Sequence, residues 1–206
     1  MIILVGGATK TLERFPEAGA LVQPRAGNSI ASLASSGRRW AADNDCFQRL
    51  DVEGYWRMLG RIAAADRSRL LWVAVPDVVG DAQETVNRWA EWYPQLDHLG
   101  LPAAFVGQDG LGAIRDQVPW DRMSAFFIGG TTRWKLSHEA ETLAREAKAR
   151  GIWVHMGRVN SLRRIRHATE IGADSIDGTT FSRWPDRWIP KGLNWVRAEA
   201  QQGVLF

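Results

Sequence analysis

Short apolar and β-branched runs alternate along the whole chain with longer stretches of helical period, and that alternation restricts the fold to βα units on a mainly parallel sheet. The runs are Ile2–Val5, Ala20–Gln23, Trp40–Ala42, Leu70–Pro76, Ala103–Val106, Ala125–Ile128, Ile152–Met156 and Asp174–Ile176. Eight parallel strands are the number that closes a barrel. The expected fold is therefore α/β, a single (β/α)8 TIM-type barrel over residues 1–206, with room for irregular or shortened helices. No linker, internal repeat or low-complexity run marks a second domain.

The helical stretches have faces and ends. Over Asp51–Asp66, Val52, Tyr55, Trp56, Leu59 and Ile62 recur at spacings of three and four behind a capping Asp51. Asp81 with Glu84 three residues on resembles a capping box and opens a helix that ends near Gly100. A third helix is expected from about Ser137 to Gly151, and a fourth from Ser161 to Gly172. The Trp-, Pro- and Arg-rich tail after Trp184 is expected to carry a last helix over Leu193–Gln201. The eleven tryptophans read as packing of the barrel shell rather than stacking platforms.

Composition excludes several classes. Hydrophobic residues at 45% and charged residues at 24% match ordinary globular chains. No apolar run approaches the roughly 18 residues of a membrane span, so the chain reads as soluble, cytoplasmic and without a membrane partner. A lone Cys46 and four scattered histidines lack the spacing of a metal site; no metal or cofactor is expected. Residues 151–191 hold seven basic side chains against four acidic ones, a local excess suited either to phosphates or to a solvated helix face.

A barrel of this kind carries its reactive groups at the C-terminal ends of its strands. Directly after the strands come Asp43, Asp77, Gln108-Asp109, Gly129-Gly130 and Asp177. Aspartate is also a common cap and turn residue, so the convergence of these groups means more than any member.

Residues 40–183 also resemble the tRNA-guanine transglycosylase superfamily. The resemblance rests on His155-Met156-Gly157-Arg158, Gly172-Ala173-Asp174-Ser175-Ile176-Asp177, Asp43-Asn44-Asp45-Cys46-Phe47-Gln48, Val75-Pro76-Asp77, Gly107-Gln108-Asp109-Gly110 and Ile128-Gly129-Gly130. The Ser-Gly-Gly of the family is replaced by Asn44-Asp45-Cys46, its final Pro-Thr-Arg by Phe181-Ser182-Arg183, and its zinc-binding cysteines are missing. The short chain is most like the compact phage and bacterial relatives that insert 7-deazaguanines into DNA.

The resemblance implies replacement of guanine in nucleic acid, DNA favoured over tRNA, by a free base such as 7-cyano-7-deazaguanine. Asp177 would be the nucleophile and Asp43 the acid and base. Asp77, Gln108, Gly129 and Gly130 would read the flipped base. Phe47 and Met156 would sandwich it, and Arg158 and Arg183 would hold the flanking phosphates. Three alternatives stay open: a phosphate-binding TIM-barrel enzyme acting on a small phosphosugar, a nucleoside or N-glycosidic-bond hydrolase, and a non-catalytic nucleic-acid-binding module. Whether the chain forms a homodimer also stays open.

Overall fold

A computed structural model describes residues 1–7, 9–26 and 29–202. Eight parallel strands pair in sequence order, and the last returns to the first, so the sheet closes into a single (β/α)8 barrel. The strands are β1 (Ile2–Gly6), β2 (Gly19–Val22), β3 (Trp40–Ala42), β4 (Leu70–Ala74), β5 (Ala103–Gly107), β6 (Ala125–Ile128), β7 (Trp153–Met156) and β8 (Ser175–Asp177). All eight expected strands are present, with ends displaced by at most two residues.

The outer layer is uneven. The helices are α1 (Thr9–Glu13), α2 (Ile30–Ser35), α3 (Val52–Ala63), α4 (Ala82–His98), α5 (Thr132–Lys135), α6 (His138–Ala149), α7 (Leu162–Glu170), α8 (Thr179–Arg183) and α9 (Pro185–Gln202), with a 3-10 segment over Leu111–Gln117. The expected caps hold: Asp51 accepts from the Gly54 N–H, Asp81 from Glu84, Ser137 from Ala140 and Ser161 from Arg164. Each satisfies one of the orphan donors of a first helical turn.

The tail departs from expectation. Helix α9 begins at Pro185, eight residues before the expected Leu193, because proline is tolerated at the first position of a helix. Pro190 lies inside it without ending it.

Side-chain alternation along each strand sorts the core into two layers. Inside the barrel lie Leu4, Leu21, Ala41, Trp72, Ala74, Ala104, Val106, Ala125 and Phe127. Their neighbours, such as Ile3, Val22, Trp40, Val73, Phe105, Phe126, Val154 and Ile176, face outward against the helices. Trp40 and Trp72 are fully buried, each contributing roughly 2–3 kcal/mol by the area removed from water. The same parity, continued past the strand ends, decides which side chains reach the mouth.

Candidate active site

The inward positions run from Leu21 to Gln23, Ala41 to Asp43, Val106 to Gln108, Phe127 to Gly129, His155 to Gly157, and Ser175 to Asp177. All of these residues except Ala41, His155 and Ser175 line one cavity of about 390 Å³ at the C-terminal mouth. The sequence-derived Asp43, Phe47, Asp77, Gln108, Gly129, Gly130, Arg158 and Asp177 are all in its wall. Its wall carries the carboxyls of Asp43, Asp77 and Asp177 above the apolar Leu21, Val106 and Phe127.

Asp43 is a strongly perturbed carboxyl there. Burial, followed by the nearby carboxylates of Asp177 and Asp77, pushes it up to about 7. Gln23 Nε2 donates to its Oδ2 at 3.3 Å and the Asn44 N–H to its Oδ1 at 2.9 Å, which offsets only part of that rise. At neutral pH this acid is poised between its two forms.

Asp177 is held by neighbours on β7 and in the loop that follows it. His155 Nε2 lies 3.0 Å from Oδ2, and the Arg158 N–H donates to Oδ1 at 3.1 Å. A carboxylate only accepts, so Nε2 carries the proton. His155 Nδ1 then accepts from Ser175 Oγ at 2.9 Å, which in turn accepts from Trp153 Nε1–H at 2.9 Å. The chain Trp153–Ser175–His155–Asp177 is complete, and the imidazole is wedged between Trp72 and Phe127, with ring centroids 4.7 and 4.5 Å away. The hydrogen bonds set the tautomer and the packing sets the ring orientation.

Asp77 and Gln108 occupy one another. Gln108 Nε2 donates to Asp77 Oδ2 at 2.6 Å, Asn44 Nδ2 to Oδ1 at 2.8 Å, and the Gly80 N–H to Gln108 Oε1 at 2.9 Å. Burial raises Asp77 above the usual carboxylate range, while the Asn44 bond, the Arg88 cation and the Gln108 bond oppose it. This cluster forms a rigid wall with few vacant polar atoms. The Gly129 N–H is likewise given to Gly107 O at 3.0 Å, and the Gly130 carbonyl accepts from Arg158 Nη2 at 2.5 Å. A methyl group on Gly129 would lie 2.5 Å from Val106 and 2.7 Å from Gln108 Nε2, so this glycine is demanded by close packing.

Three expected contacts are not made in the expected way. Met156 is fully buried and lies in the outer layer, one residue out of phase with the pocket-facing His155 and Gly157. Phe47 does line the cavity, but the Arg158 guanidinium covers its ring at 4.1 Å, where a base was expected to stack. Arg183 is an exposed residue of α8 packed over Trp184, outside the cavity wall.

Sequence reasoning passed over Gln23, Asn44, His155 and Lys135. The polar residue on the inward phase of Trp153-Val154-His155-Met156 was a usable signal for His155. Lys135 offered none, because Thr131-Thr132-Arg133-Trp134-Lys135 reads as a turn and folds as the single turn α5.

Among the described residues, no group of three or more His, Cys, Asp or Glu is placed to hold a metal ion. None of their helices is long and apolar enough to cross a membrane.

Fold and mouth together define a TIM barrel with an acidic cavity at its C-terminal end. No family model matches the chain, and no curated protein matches it. Solved structures do match. One is 3-hexulose-6-phosphate synthase from Salmonella typhimurium, with a TM-score of 0.55 and 13% identity over 87% of this chain and 89% of that one. At that identity the likeness carries the fold alone.

These findings correct the guanine-exchange reading. No family model supports it, and the solved neighbour bears the name of a hexulose-phosphate synthase, not of a transglycosylase. The motifs behind the resemblance are short and each follows a strand. Inward parity places Asp43, Gln108, Gly129, Gly157 and Asp177 at the mouth of any barrel with these strands, so their order reports architecture rather than chemistry.

Proposed function

We propose that this barrel is an enzyme that binds a small phosphorylated sugar and transfers a proton at a carbon beside the sugar carbonyl. The observation that carries this reading is Asp43, a carboxyl pushed up to about 7 within the cavity that also holds Asp177. A group poised near neutrality both takes and returns a proton efficiently. Asp43 as carboxylate would remove the proton on carbon, leaving the electron pair on the carbonyl oxygen as an enediolate. The protonated Asp43 would then return it to the neighbouring carbon, while the hydroxyl proton on the carbon first deprotonated passes to the former carbonyl oxygen and the new carbonyl forms there. Asp177, oriented by His155, raises the proton affinity of Asp43 and accepts a substrate hydroxyl.

Cavity size and polarity support the substrate class. A volume of about 390 Å³ falls at the small end of ligand sites. The carboxyls in the cavity wall repel phosphate, so the sugar end enters first and the phosphate remains at the rim. There Arg158, Thr179 and Ser182 line the opening after β7 and β8, the two loops that bind phosphate in many barrels. The name of the solved neighbour points to the same class.

Solvent exchange tests the reading. Aldose and ketose phosphates are incubated with the protein in deuterium oxide, and loss of the proton signal beside the carbonyl is followed by NMR. Exchange is expected with phosphorylated sugars, at least about 100-fold slower in Asp43→Asn. Absence of exchange across the panel, with base released from nucleosides instead, would identify a hydrolase and end the proposal.

A further inference from the structure

Lys135 closes α5 with 1% of its surface exposed. Its ammonium lies behind the pocket wall and donates to the Gly157 carbonyl at 2.8 Å. An ammonium in the interior is costly without a role for its charge. The peptide it touches has a second end: the Arg158 N–H of that same group donates to Asp177 Oδ1 at 3.1 Å. Cation, peptide dipole and carboxylate are therefore aligned head to tail.

Reversing that peptide would aim the N–H at the ammonium and the carbonyl at the carboxylate, which is unfavourable at both ends. The observed orientation also goes with φ of 59° at Arg158, a left-handed conformation uncommon for a side chain of this kind. From it the Arg158 guanidinium reaches the Gly130 carbonyl and the Phe47 ring.

We infer that Lys135 is a positioning residue, fixing the Gly157–Arg158 peptide so that its N–H faces Asp177 and the Arg158 side chain crosses the mouth of the cavity. Its consequence for binding a phosphate through Arg158 rests on the sugar-phosphate reading. The geometry of the free protein does not. Arg158, Arg164, Asp177 and Asp109 are the charged groups around the ammonium, and His167 Nε2 bonds the Lys135 carbonyl. Burial first, then Arg158, lowers Lys135 to about 7, so its charge is lost as pH rises through that value.

The Arg158 backbone amide resonance, recorded without substrate, reads the coupling directly. With Asp43→Asn as background, to remove the other carboxyl that titrates there, the Arg158 amide is expected to move as pH passes about 7. In Lys135→Met it is expected to leave the position of a carboxylate-bound amide. In Lys135→Gln, which keeps an N–H for the Gly157 carbonyl but carries no charge, it is expected to sit near its high-pH position in the background protein and no longer to follow pH there. An amide that ignores pH in the background protein, or that keeps its position in folded Lys135→Met, overturns the proposal. Because no sugar is present, failure here is separable from failure to exchange protons on a sugar phosphate.

Discussion

Asp43 makes the pH dependence of this molecule a residue-scale question. Its folded value of about 7 lies above the ordinary aspartate value of 3.8, so the folded chain binds this proton more tightly than the unfolded one. That contribution to stability is fully present below about pH 4 and is lost as pH rises through about 7. Three pH units correspond to no more than about 4 kcal/mol, reduced by the water that reaches the cavity. Asp43→Asn is expected to remove this slope, so its stability relative to wild type should increase between pH 4 and 7 in denaturant titrations. Parallel curves across that range would show that Asp43 is not perturbed. Arg158 supplies a second prediction at the same scale. Arg158→Met should raise KM for a sugar phosphate by about tenfold or more, as expected for one lost charged contact, with a smaller change in kcat. A change in kcat alone would remove Arg158 from phosphate binding. Asp43 and Asp177 were legible in the sequence because carboxylates directly after strands are conspicuous. The tie between Gln108 and Asp77 was not, since pairing across β4 and β5 depends on register that no local pattern encodes.

At the scale of elements, parity explains both what could be read and what could not. The eight strands are visible as apolar runs, and α3 and α4 are announced by Asp51 and by Asp81 with Glu84. Short elements escape: α5 and α8 have four and five residues, too few to show a helical period. The resemblance puts Met156 against the base, yet one step along the strand from His155 turns its side chain to the opposite face. Gly129 tests the packing at the end of β6. Gly129→Ala forces its new methyl group against Val106 and the Gly107 carbonyl, and should cost about 1–3 kcal/mol in thermal or denaturant unfolding. Asp51→Ala should cost about 1 kcal/mol through loss of the α3 cap, leaving proton exchange unchanged because Asp51 is not in the cavity wall. An unchanged midpoint in either variant would contradict the role given to that residue.

At the scale of the whole molecule, closure of the barrel does most to make the site. The strand order β1 through β8 brings residues as distant as Gln23 and Asp177 to one rim. Closure was predictable from eight alternating runs, whereas chemistry was not, because the barrel gathers Asp, Gln and Gly at its mouth whatever reaction it supports. What narrows the chemistry is the state of the gathered groups: a carboxyl near neutrality, a second one fixed by His155, and a cation over Phe47. The most direct test is the rate of deuterium incorporation beside the carbonyl of a sugar phosphate, compared between wild type and Asp43→Asn. Incorporation by wild type that falls at least about 100-fold in the variant is the expected result. Equal rates in the two proteins, or no incorporation into any phosphorylated sugar, would contradict the assignment of Asp43 as the proton-transfer group.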